Sequence, residues 1–315
     1  MGKKLEASLA VVNGAIGDYL VRTGNGLATV MGLVSRVGDP EPLTLERAAL
    51  SRALPAASPR VALLVHGLMS TESIWTMADG TDYGALLARD LGYTTVYLRY
   101  NSGLAIPDNG ANLSRALDAF VAAYPVPIES LVTIGHSMGG LVIRSACHVG
   151  RLGGPRAWLP LVKKAIYVGT PHLGAPLERV GRAVARLLRT IDDPYTRLIA
   201  EIADLRSDGL KDLGDADLRH EDRAARGARL RDPHHPVPLL PEIQHYLVAG
   251  AISESPWLAT LFGDSVVPVR SATAGLVDLT SGALPPSHVK ILDGLSHLVL
   301  ARDPRVYDAI RGWCS

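Results

Sequence analysis

The chain has 315 residues, which suits one large α/β domain or two small ones and is ample for a sizeable core. Its 32 basic and 31 acidic residues leave a net charge of +1, so nothing suggests a nucleic-acid or acidic-polymer partner. No stretch reaches the roughly 20 apolar residues of a membrane span, and two cysteines as distant as Cys147 and Cys314 make a poor disulfide framework. Cys147 reads as a small buried hydrophobe, and Cys314, one residue from the end, as frayed. Lys3 and Lys4 before Leu9–Val12 imitate the start of a signal peptide. Glu6 and Asn13 interrupt it, and no small-residue cleavage site follows. The expectation is a soluble, cytoplasmic protein, with secretion left open and the oligomeric state undetermined.

In chain order, residues 1–60 read as an N-terminal helical extension packed on the core. Leu9, Val12, Ile16, Leu20 and Val21 fit one helical face that several glycines weaken, and a short amphipathic helix fits Leu43–Leu54. The main domain, residues 61–315, opens with Val61–Val65, an apolar run typical of a strand buried on both faces. Ala85–Leu91 reads as a helix ended by Gly92, and Thr94–Tyr100 as a strand rich in β-branched and aromatic residues. Asn112 and Ser114 are candidate caps for a helix stopped by Pro125. Further strands are expected at Leu131–Gly135, Lys164–Gly169, His245–Gly250 and His288–Leu292. This alternation of strand and helix predicts an α/β fold, with a mostly parallel central sheet and helices on both faces. Between about 175 and 245 the rhythm breaks, as expected of an inserted helical cap or lid. Leu177–Ile191 and Tyr195–Ile202 carry apolar faces there, and Arg206–Asp232 is dense in Asp and Arg.

The chemistry centres on Gly135-His136-Ser137-Met138-Gly139, a G-x-S-x-G run between a strand and a helix. The plain alternative is a Gly-rich turn that carries a serine. A serine hydroxyl needs a base, and His297 lies in the loop after the last expected strand, at the sheet edge where the serine stands. His288 begins that strand at the opposite edge, and His220, His234 and His235 read as surface residues of the insertion. Asp264, between Gly263 and Pro268, is the preferred acid to orient the base, with Asp278 and Asp293 as rivals. Val65-His66-Gly67-Leu68 turns at the same edge, placing the Leu68 N–H to donate beside the Met138 N–H in an oxyanion hole. His66, Leu68, His136 and Leu173 are the expected substrate-lining residues. No metal or organic cofactor is expected.

His66-Gly67-Leu68, Gly135–Gly139, Gly169-Thr-Pro-His-Leu-Gly174, Gly263–Pro268 and Ser296-His297 together resemble the α/β-hydrolase lipases and esterases. The likeness is to bacterial triacylglycerol lipases and GPI inositol-deacylase-like hydrolases, and Asn13–Leu20 is similar to a segment of some bacterial members. The resemblance implies an α/β-hydrolase fold, with Ser137 as nucleophile, His297 as base, Asp264 as acid, and Leu68 and Met138 as oxyanion donors. The apolar faces of the cap favour a small hydrophobic ester or lipid as substrate, and the arginine-rich face opposite Leu177–Ile191 leaves open either transient lipid-surface contact or plain solvation. An acyltransferase on the same residues and a silent binding module stay open.

Overall fold

A computed structural model of the chain describes residues 3–36, 41–175, 207–224, 237–251 and 284–315. Eight strands form one sheet: β1 (Gly32–Ser35), β2 (Glu41–Pro42), β3 (Arg60–Val65), β4 (Thr94–Arg99), β5 (Ser130–His136), β6 (Val162–Val168), β7 (Gln244–Ala251) and β8 (Val289–Asp293). Their spatial order is β2-β1-β4-β3-β5-β6-β7-β8. From β4 to β8 all neighbours are parallel, while β1 runs antiparallel to both β2 and β4. This is the mostly parallel α/β sheet expected from the alternation of elements. The apolar runs of β3 and β5 lie at the centre because a strand covered on both faces buries every side chain it carries.

The helices are α1 (Lys3–Arg22), α2 (Arg47–Ala53), α3 (Tyr83–Leu91), α4 (Ile106–Ala123), α5 (Met138–Leu152), α6 (Asp208–Asp215), α7 (His220–Ala224), α8 (His297–Leu300) and α9 (Pro304–Cys314). On one face of the sheet, Leu50, Leu113, Leu117, Phe120, Leu141 and Val142 from α2, α4 and α5 pack on the odd-numbered side chains of β3. On the other, Leu87 of α3 and Val306 and Ile310 of α9 meet Ala62 and Leu64.

Four features depart from the sequence reading. Gly32–Ser35 and Glu41–Pro42 add β1 and β2 to the sheet, so the N-terminal segment carries strands as well as helices. Helix α1 exists, but its buried residues include Val11, Asn13, Ala15 and Leu20, whereas Val21 is exposed. The small side chains set that face, because they let the helix backbone approach the body closely. Helix α4 begins at Ile106, so Asn112 and Ser114 are internal. Its first N–H is satisfied from afar, with Ile106 N donating to Asp212 Oδ2 at 2.8 Å. Cys314 is buried rather than frayed, because α9 docks: its carbonyl accepts from Arg60 Nη2 (2.7 Å) and from the Tyr93 hydroxyl (3.2 Å).

Of the expected cap, Leu177–Ile191 and Tyr195–Ile202 lie outside the described residues. Within 207–224, Leu213 and Leu218 enter the main core, and Arg223 pairs with both Asp208 and Asp212. This part of the Asp/Arg-dense stretch is therefore folded onto α4 and the body.

Candidate active site

Strand β5 ends at His136 and α5 starts at Met138, so Ser137 alone makes the turn. Its φ of 53° and ψ of −125° are strained for a residue with a side chain, at a cost of order 1–3 kcal/mol. Neighbouring structure enforces the turn. Ser137 N donates to Val168 O of β6 at 2.9 Å, and Gly140 N donates back to Ser137 O at 3.1 Å. Gly139 lets the first turn of α5 press on the end of β3, since a Cβ there would lie 2.4 Å from the carbonyl oxygens of both Val65 and His66. The result is a hydroxyl at the C-terminal edge of the sheet, at the N-terminus of a fifteen-residue helix.

His297 reaches the same edge from the loop after β8 and opens α8. Its Nε2 lies 2.8 Å from Ser137 Oγ, and both residues are 6% exposed. Gly169, at φ 60°, passes so close that a Cβ would sit 3.3 Å from the imidazole Nδ1.

His66 and His136, expected to line a substrate pocket, are both buried beside the serine turn. His136 places Nε2 3.1 Å from the His297 carbonyl, with its ring 5.0 Å from that of His297 and edge-on to Trp75. His66 stacks on Tyr100 at 4.4 Å and sets Nδ1 2.8 Å from Gly67 O. Burial lowers their pKa values to about 3 for His136 and about 4 for His66, so both rings stay neutral. Each neutral ring then carries its proton on the nitrogen that faces the carbonyl. The Tyr100 hydroxyl donates to His66 O at 2.9 Å and pins the strand end before the turn.

That turn brings Gly67 against Ser137: a Cβ on Gly67 would lie 3.0 Å from Ser137 Cβ. Leu68 follows directly. Neither its N–H nor that of Met138 has a hydrogen-bond acceptor among the described residues. Both N–H groups belong to residues next to the serine turn: Met138 follows Ser137, and Leu68 follows the Gly67 that packs on it.

The remaining expected residues fall as follows. Leu173 is 48% exposed, just after His172, whose buried Nδ1 contacts Arg144 Nη1 at 3.2 Å. Asp293, the rival acid, is exposed at the end of β8 and makes no hydrogen bond to His297 among the described residues. Asp264 and Asp278 lie outside the described residues. The sequence reading does not reach Trp75 and Tyr100, which pack on His136 and His66. Tyr100 has a usable signal, an aromatic at the C-terminal end of a strand in a parallel sheet; Trp75 has none.

Comparison with known proteins bears on the family and the fold. Residues 62–309 match the alpha/beta hydrolase family. Among solved structures, lipase BlEst2 of Bacillus licheniformis in its mature form is similar at a TM-score of 0.52 and 17% identity. The match covers 91% of this chain and 98% of that one. Its propeptide form gives a TM-score of 0.51 at 17% identity, over 90% of this chain and 53% of that one. At such identity the likeness is one of fold. No curated protein sequence matches the chain.

Proposed function

Because the chain belongs to the alpha/beta hydrolase family, we propose that it is a serine hydrolase that cleaves carboxylic esters of hydrophobic acyl groups. The observation that carries this reading is the 2.8 Å contact between His297 Nε2 and Ser137 Oγ on a strained strand-to-helix turn. A neutral imidazole there accepts the serine proton as Oγ attacks the ester carbonyl. The negative charge that builds on the carbonyl oxygen falls to the N–H groups of Leu68 and Met138, each such donor typically worth about 3 kcal/mol in the transition state. His297 then passes its proton to the leaving alcohol, which leaves an acyl-Ser137. Water deprotonated by His297 attacks that ester, and the same two donors hold the second oxyanion.

Asp264 is assigned the role of accepting from His297 Nδ1, on its place in chain order between the serine and the histidine. The buried His136, bonded to the His297 carbonyl, helps to hold the base in place. Leu298 and Val299 are about half exposed beside His297 and give the site an apolar edge, which favours hydrophobic acyl groups over charged ones. Contact with a lipid surface and a cytoplasmic location belong to this proposal.

A p-nitrophenyl ester series of increasing acyl length, run on wild type and Ser137→Ala, tests the reading. Hydrolysis by wild type and none by the variant is expected. No hydrolysis at any length would overturn the esterase assignment, and activity surviving in the variant would overturn the nucleophile.

A further inference from the structure

The residue after the oxyanion donor is itself unusual. Met69 is held at φ 55°, a conformation that an L-residue with a side chain keeps only when its surroundings enforce it. It is buried, and its N–H donates to Ser102 Oγ at 3.0 Å. That bond fixes the peptide joining Leu68 to Met69, while Gly67 against Ser137 fixes the chain just before Leu68.

Helix α1 supplies the other constraint. Val11 and Ala15 form a small apolar cluster with Met69, and Ile16 and Leu68 pack against it. Gly14 is the contact point: a Cβ there would lie 2.3 Å from Met69 Cγ and 3.0 Å from Met69 N, so the helix backbone touches the turn directly. The helix is tied down around that contact. Ser207 Oγ donates to Gly14 O at 2.6 Å, and Asn101 Nδ2 donates to Gly17 O at 3.0 Å. Gly103 admits the Asn13 carbonyl, which would lie 2.0 Å from any Cβ placed there. Ile16, between the two tied carbonyls, leaves helical geometry at φ −139° and ψ 22°, so α1 bends over the 67–70 turn.

We propose that Met69 is a positioning residue for the oxyanion hole, clamped by Gly14 of α1 and by Ser102, and that the N-terminal helix thereby sets the aim of the Leu68 N–H. The proposal rests on the ester-hydrolase reading above. It accounts for glycines in α1 that, on helix propensity alone, only weaken it. A main-chain donor has no side chain to lock it, so its direction is set by the backbone on either side, and the side after Leu68 is Met69.

The test compares wild type, Gly14→Ala, Ser102→Ala and Gly26→Ala. Gly26 belongs to the same N-terminal segment, and a methyl group added there would meet nothing within 4 Å, which makes it the control. Each is assayed for kcat and KM on one p-nitrophenyl ester, for affinity toward a trifluoromethyl ketone that mimics the tetrahedral intermediate, and for Tm. Gly14→Ala and Ser102→Ala should lower kcat by about ten- to a hundredfold, short of the 10²–10³ seen when a donor is removed outright. KM should change by less than about twofold, and ketone affinity should fall in step with kcat. Ser102→Ala adds no atom, so it carries the test if Gly14→Ala does not fold. Folded variants with kcat and ketone affinity at the Gly26→Ala level would overturn the positioning role and leave the hydrolase reading standing. Absence of hydrolysis in wild type would overturn that reading and this proposal together.

Discussion

His297 and Ser137 stand 160 positions apart in the chain, yet the imidazole Nε2 meets the serine Oγ at 2.8 Å. The contact is made by two loops at one edge of a parallel sheet, one after β5 and one after β8. The serine side is strained and the histidine side is packed between Gly169 and His136. Holding that geometry has consequences for stability as well as for the proposed reaction.

Ser137→Gly should be inactive but more stable than wild type, by about 1 kcal/mol, because glycine adopts φ 53° without steric strain. Ser137→Ala should be equally inactive without that gain, since alanine keeps the strained Cβ. Chemical denaturation of the two variants beside wild type measures the difference; equal midpoints for Gly and Ala would remove strain as the cause.

The acid partner can be separated from its rival by paired substitutions. Asp264→Asn should lower kcat by about 10³–10⁴-fold with the fold intact, as loss of the orienting carboxylate does in a Ser-His-Asp site. Asp293→Asn should stay near the wild-type rate, because Asp293 is exposed and does not bond to His297 among the described residues. The reverse ranking in a steady-state assay would move the role to Asp293.

Acid should destabilise the protein through its buried neutral histidines. His245, whose Nε2 faces Leu240 O at 2.9 Å, is lowered by burial from 6.5 to about 4. Between those values the unfolded chain binds a proton that the folded chain does not. The stabilisation is therefore complete above about pH 6.5 and is lost as pH falls toward about 4. His245→Gln should flatten the dependence of unfolding free energy on pH across that window by up to about one proton, or ~1.4 kcal/mol per pH unit. Urea melts at half-unit steps read it directly, and an unchanged slope would show that His245 is not neutral in the folded protein.

Both thiols should be silent in the native state. Burial raises Cys147 to about 12 and Cys314 to about 11, and both are free and buried. A disulfide exchange reagent at pH 8 should label neither within minutes in buffer and both at once in denaturant. Rapid labelling of Cys314 alone would mean that α9 undocks.

Much of this protein was legible because its signals are local. The strands near Val61, Thr94, Leu131, Lys164, His245 and His288 announce themselves by short β-rich runs, and all six are present within a few residues of the expected bounds. The serine turn was legible for the same reason, since two glycines and a serine must lie close together for one residue to make the turn. The short strands β1 and β2, at four and two residues, carry too little pattern to be read against the glycines and prolines around them.

What the sequence by itself determined is the order of elements and which two residues to look for together: a serine after one strand and a histidine after the last. The tertiary structure decided what no window of sequence contains. It placed Asp212 on the first turn of α4, turned His66 and His136 into buried neutral props, and brought Gly14 of α1 against Met69 beside the oxyanion turn. The physical reason is the same in each case. A backbone group or a buried ring takes its partner from whatever packing brings within about 3 Å, and packing joins positions that the chain keeps far apart.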